Sequence, residues 1–126
     1  MIANILTGLA VLALGVYFIV KAQKKPSAKD YDPEISYRLV QDGALLLDTR
    51  SLGEYSAGHI EGAVHIAHTN IEGQIGKLQE LTKQDKSHPI VVYCQSGKRS
   101  GIAKKKLRKL GYSNVINHGG IDSWKK

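Results

Sequence analysis

At 126 residues, 42% of them apolar and 6% aromatic, the chain has room for one packed domain plus an accessory segment, which excludes two full domains and a disordered chain. Its single cysteine, Cys94, rules out an intrachain disulfide, a CxxC redox pair and a thiolate zinc cluster. The net charge of +7 is local: seven basic residues and no acid fall between Lys98 and Lys109, and the rest of the chain balances at eleven against eleven.

Residues 2–20 carry no charge, and their clearly polar members are Asn4 and Thr7. At 1.5 Å per residue this run crosses most of a ~30 Å hydrocarbon core, so residues 1–20 are expected to form a transmembrane helix. A cleaved signal peptide would place its positive charges before the apolar run, whereas Lys21, Lys24, Lys25 and Lys29 all follow it. The positive-inside bias then predicts a single-pass protein of the inner (cytoplasmic) membrane with its domain facing the cytoplasm, a reducing compartment that suits a free thiol. Ala3 and Thr7 have small-residue spacing, which leaves a homodimer through this helix open. Residues 21–31 are polar, contain Pro26 and read as a linker.

The domain is expected over residues 32–126. Asp32, Pro33 and Glu34 form a helix-start signature, with a side-chain acceptor and a proline whose missing N–H is harmless at the first helical position, so a helix is predicted to Gln41. Apolar runs at 44–47 and 90–93 suit strands buried on both faces, and 63–66 and 115–116 are shorter candidates. Asn70 is placed to cap a helix carrying Ile71, Ile75, Leu78 and Leu81, weakened by Gly73 and Gly76, and a last helix runs from Lys98 to Leu110 with Gly111 as its stop. Strands alternating with helices imply an α/β domain of three layers around a mainly parallel sheet, whose sites form beyond the carboxyl ends of the strands.

Cys94 ends the most strongly marked strand and is followed by Gln95, Ser96, Gly97, Lys98, Arg99 and Ser100, within which a helix begins. Strand, glycine-containing loop and helix N-terminus together aim backbone N–H groups at one point, where the helix dipole also favours negative charge. A thiol there ionises more readily than the reference of about 8.5, aided by Lys98 and Arg99, and the same cradle holds an anion. The plain alternative for an isolated cysteine, an inert core residue, does not account for these neighbours. The lysines at 104–109 read either as a solvated helix face, since Ala103, Leu107 and Leu110 recur on the opposite side, or as an attractor for an acidic partner or anionic lipid. Nucleic acid is disfavoured because no aromatic side chains are interleaved there.

These blocks resemble the single-domain rhodaneses. Cys94-Gln-Ser-Gly-Lys-Arg99 matches that family's C-x-x-G-x-R pattern, and Leu47-Asp-Thr-Arg50 resembles its strand-ending aspartate and arginine. The blocks Glu54-Tyr-Ser-Ala-Gly-His-Ile-Glu-Gly-Ala63 and Gly119-Gly-Ile-Asp-Ser-Trp124 are similar to its E-[FY]-x-x-G-H-I-x-G-A and closing G-G-x-x-x-W. The resemblance implies a rhodanese-like fold and a sulfurtransferase that carries sulfane sulfur as a Cys94 persulfide. The donor would be a small thiosulfate-like anion and the acceptor cyanide, a thiol or a protein, with no cofactor. Residues Gln95, Ser96, Gly97, Lys98, Arg99 and Ser100 would bind the anion. Asp48 and Arg50 would brace the loop, against the alternative of a surface ion pair worth ~0 to 1 kcal/mol. Glu54 and His59 fall in the supporting block, with His59 expected to make structural hydrogen bonds. No ligand pattern for a metal is found in His65, His68, His88 and His118, despite the i, i+3 spacing of the first two. Two other readings are weighed. A phosphatase or arsenate reductase would place five residues between cysteine and arginine, where four stand here. A membrane-tethered sulfur carrier or binding module would show low turnover.

Overall fold

The first helix, α1 (Pro33–Gln41), starts where the sequence places it, with the Asp32 carboxylate accepting the otherwise orphaned N–H groups of Glu34 and Ile35 at 3.1 and 3.2 Å. The computed structural model describes residues 28–125. The expected transmembrane helix and most of the linker lie outside those residues, and among the described residues no helix is long and apolar enough to cross a membrane.

Four strands follow: β1 (Leu45–Asp48), β2 (Val64–His65), β3 (Ile90–Cys94) and β4 (Val115–Gly120), interleaved with α2 (Leu52–Ala57), α3 (Ile75–Leu81) and α4 (Lys98–Lys109). They form one parallel sheet in the order β2-β1-β3-β4. Successive strand residues point to opposite faces. Leu45, Leu47, Ile90 and Val92 therefore pack with Leu78, Ala103 and Leu107 under α3 and α4, while Leu46, Val91, Tyr93 and Ile116 pack with Ile35 and Leu39 under α1. Each fully buried large apolar side chain contributes ~1.5–3 kcal/mol, so the strand runs read from sequence are the chief stabilising elements of both layers. The parallel, two-faced arrangement gathers the carboxyl ends of β1, β3 and β4 at one edge of the molecule.

Two expectations are corrected, and one helix is unforeseen. Asn70 does not cap a helix: residues His68–Asn70 and Glu72–Gln74 form two 3-10 turns, and α3 begins only at Ile75, with no side-chain cap. A Cβ at Gly73 would collide with the Asn70 side chain, which occupies the space beside that turn. The break shifts the helical phase, so Ile71 and Leu78 are buried while Ile75 is exposed. Helix α2 goes unpredicted; it is six residues long and its signal is local, a reciprocal capping box between Ser51 and Glu54. Strand β4 runs four residues past the expected 115–116, because a bulge between Val92 and Tyr93 in the pairing register accommodates Asn117 and His118 before the two glycines. Helix α4 stops as expected, with Gly111 in the left-handed region at φ +101°.

Candidate active site

Cys94 is the last residue of β3, and Gly97, at φ +98°, turns the chain into α4. That left-handed turn brings the Gly97 N–H back to the Cys94 sulfur at 3.0 Å, and the Ser100 hydroxyl approaches it at 3.3 Å. The thiol is fully buried. Burial by itself would raise it, but hydrogen bonds from the Ser100 hydroxyl and from the backbone of Ser100, Ser96 and Gly97 outweigh this and hold it below the ordinary thiol range. The loop backbone and one hydroxyl, more than any adjacent cation, are what touch the sulfur.

Of the residues expected to bind an anion, Gln95, Ser96 and Lys98 are exposed, Gly97 and Ser100 are buried and Arg99 is intermediate. Arg99 reaches across to α2, where its two amino groups meet the two Glu54 oxygens at 2.6 and 2.9 Å. That fork holds the Glu54 carboxyl down to about 2, helped by Ser51. Arg99 thus sits in a neutralised pair at the rim, its charge acting on the sulfur through space.

Asp48 and Arg50 form a buried pair, not a surface one: their side chains are 0% and 6% exposed, with a 2.7 Å contact. Arg50 also donates to the Gly58 carbonyl at 2.6 Å. Burial would raise the Asp48 carboxyl, but hydrogen bonds from Arg50, then from Tyr93, hold it below the usual carboxylate range. The Tyr93 hydroxyl donates to Asp48 at 2.8 Å and accepts the Ile60 N–H at 3.1 Å, and both the N–H and hydroxyl of Thr49 donate to the Tyr93 carbonyl. The residue next to the thiol is therefore fixed from both ends by β1 and the turn after it. Burial pushes the Tyr93 phenol up, with the Asp48 carboxylate adding to the shift.

His59 is exposed, stacks on Tyr55 at 3.8 Å and places Nδ1 2.9 Å from the Tyr55 carbonyl, a structural bond. His65 places Nε2 2.7 Å from the Arg50 carbonyl. Trp124 packs edge-on to His118 at 5.1 Å and beside Tyr37. With His59, it lines a cleft of about 1010 Å³ between α1, residues 59–61 and residues 121–124, and Cys94 is not among its lining residues.

The sequence reading misses Asn117, 1% exposed, whose side chain touches Gly97, Ser100 and Gly119. Its signal was available: an amide continuing the apolar run Val115-Ile116 marks a buried polar group that must find partners. It also places Asp30 and Tyr31 in the linker, yet both are hydrogen-bonded to β4. Lys104 pairs with Asp30 at 2.8 Å, while Lys105, Arg108 and Lys109 are exposed.

The rhodanese-like domain family matches residues 32–126. A thiosulfate sulfurtransferase, GlpE, of Pseudomonas fluorescens is 34% identical over 98 residues, spanning 77% of this chain and 84% of the relative. A second, PspE of Escherichia coli, is 33% identical over 75 residues, 60% of this chain and 68% of the relative. Among solved structures, a human single-domain sulfurtransferase, TSTD1, superposes with a TM-score of 0.61 at 31% identity, covering 76% of this chain and 90% of the other.

Proposed function

The chain belongs to the rhodanese-like family, and from that premise we propose that it transfers sulfane sulfur from a thiosulfate-like anion to a thiophilic acceptor through a persulfide on Cys94. The observation that carries this reading is the sulfur itself, ended on a strand and met by the Gly97 N–H and the Ser100 hydroxyl. The Cys94 thiolate attacks the outer sulfur of thiosulfate; a carbon-bound sulfur–sulfur bond forms, the sulfur–sulfur bond of the donor breaks, and sulfite leaves with the electron pair. The loop N–H groups favour negative charge on both the attacking and the persulfide sulfur. A second nucleophile, cyanide or a thiolate, then takes the outer sulfur and restores the Cys94 thiolate. Because the resting thiol is buried, the loop must shift to admit the donor, and Arg99 meets its oxygens only by sharing or leaving Glu54.

Residues 2–20, uncharged and followed by four lysines within the next nine positions, support a single-pass anchor that holds the domain on the cytoplasmic side of the inner membrane. Residues 32–126 form the catalytic unit in this reading.

Sulfite release from thiosulfate with cyanide as acceptor tests the reaction. The full chain is expected to turn over and Cys94→Ser to be inactive, and intact mass after thiosulfate should show a gain of about one sulfur atom. Turnover retained by Cys94→Ser removes the mechanism. A loaded persulfide without turnover identifies a carrier.

A further inference from the structure

Both groups nearest the Cys94 sulfur are gripped on their far side by one amide. Asn117 Nδ2 donates to the Gly97 carbonyl at 3.0 Å, and its Oδ1 accepts the Ser100 hydroxyl at 2.7 Å and the Gly119 N–H at 2.9 Å. The two backbone partners also fix which end of the amide is which, since a flip would set donor against donor at Gly119 and acceptor against acceptor at Gly97. The β4 bulge, where Val92 pairs with Asn117 and Tyr93 with Gly119, aims this side chain at the loop.

Asn117 is itself held from outside the sheet. Strand β4 lies at the sheet edge, and the main-chain N–H and C=O of Asn117 are taken by the Asp30 carboxylate and the Tyr31 N–H, each at 2.8 Å. Lys104 fixes Asp30 from α4. Tyr31 sits at φ +63°, a conformation a bulky residue rarely adopts, with its ring so close to Gly97 and Gly119 that a side chain on Gly119 would meet it at 3.0 Å.

We propose that Asn117, clamped by Asp30 and Tyr31, is a positioning residue that holds the Gly97 turn and the Ser100 side chain beside the Cys94 sulfur and so governs how readily the thiol ionises. The inference rests on the sulfur-transfer reading of Cys94 and extends it to residues and a chain segment that reading does not use. The Ser100 hydroxyl has one proton. With the thiol neutral, that proton goes to Asn117 Oδ1 and the S–H points to Ser100 Oγ. When the thiol loses its proton to water, the hydroxyl rotates to the thiolate while Gly119 N–H keeps Oδ1 paired, so neither state strands a buried polar atom.

The charged groups around this cluster come from every neighbouring element: Asp48 with Arg50 at the end of β1, Glu54 with Arg99 across α2 and α4, and Asp30 with Lys104. Lys98 is exposed at the start of α4, and Tyr31, Tyr93 and His118 are the other titratable side chains nearby. The three pairs are internally neutralised, so local hydrogen bonding outweighs their charges, that of Arg99 included, in setting the thiol.

The test is the pH profile of Cys94 alkylation by iodoacetamide, followed by intact mass on the full chain, in which Cys94 is the only cysteine. Asn117→Thr suits a strand, adds no charge and cannot reach the Gly97 carbonyl. It should raise the apparent thiol pKa by about one unit, and its loss of sulfite release at neutral pH should recover in alkali. Tyr31→Ala, at a side chain 64% exposed, should shift the titration in the same direction by less. Wild-type titration in both folded variants, or an equal loss of rate at every pH, overturns the proposal, and if Asn117→Thr fails to fold, Tyr31→Ala alone decides. Alkylation needs no turnover, so a wild-type chain that releases no sulfite would sink the sulfur-transfer reading while leaving this measurement intact.

Discussion

Replacing Tyr93 with Phe removes one oxygen and leaves the shape of the core. That oxygen is buried, donates to the Asp48 carboxylate at 2.8 Å and accepts the Ile60 N–H at 3.1 Å. A hydrogen bond to a charged group is worth ~1.5–3 kcal/mol net, and a buried N–H left without a partner costs ~1–3 kcal/mol. Asp48 keeps its bonds from Arg50, including the backbone N–H at 2.9 Å, so the two losses are not fully additive and the expected destabilisation is about 2–4 kcal/mol. For a domain of this size that corresponds to a fall in Tm of roughly 10–25 °C. Urea unfolding of both proteins should show a lower midpoint with an unchanged slope. The variant, less stable at neutral pH, should lose less further stability on acidification, so the two proteins converge as the pH falls. In the wild type the folded Asp48 carboxyl titrates below its unfolded value, so its stabilisation is complete above that value and is lost as the pH falls; losing the Tyr93 donor moves the folded value back up and narrows the gap. A loss below about 0.5 kcal/mol would refute the claim that this hydroxyl ties β3 to β1.

Three further outcomes are expected. A Cβ on Gly120 would stand 2.7 Å from the Gln95 carbonyl oxygen, a backbone atom; Gly120→Ala should therefore displace the Cys94 loop, lowering sulfite release at least tenfold and stability by ~1–3 kcal/mol, and normal kinetics would show that the loop is not packed there. Arg99 holds the Glu54 carboxyl at about 2, so the advantage of wild type over Glu54→Gln should be full above the unfolded carboxyl's range and vanish as the pH falls toward that value; a gap in urea midpoint that stays constant down to there contradicts this. Burial lowers the His118 pKa, which means the unfolded chain binds the proton first. Stability should therefore drop as the pH falls below ~6.5, and His118→Gln should flatten that drop, whereas parallel profiles for the two proteins would remove His118 as its source.

The chemistry-bearing segment was legible because it is local. Cys94, Gly97 and the start of α4 are consecutive, and a strand, a glycine at positive φ and a helix N-terminus dictate where the N–H groups go without reference to the rest of the chain. Helix α1 was readable for the same reason, its cap and proline being adjacent, and the buried strands were readable because only a two-faced sheet accommodates runs such as Ile90-Val91-Val92-Tyr93. What failed was what depends on distant partners or on competition between neighbours. Asn70 has a capping side chain, but two 3-10 turns won over the helix it was expected to start.

Residues alone place a readily ionised thiol at the end of a buried strand, since every group needed to say so lies within seven positions of the chain. How that thiol is held and guarded depends on contacts between distant segments. Arg99 meets Glu54 across 45 residues, Tyr93 meets Asp48 across the same separation, and Asn117 reaches Ser100 across 17. No periodicity encodes such distances. They follow from the parallel crossovers that bring the ends of β1, β3 and β4 together, and from a bulge of one residue that turns an amide inward.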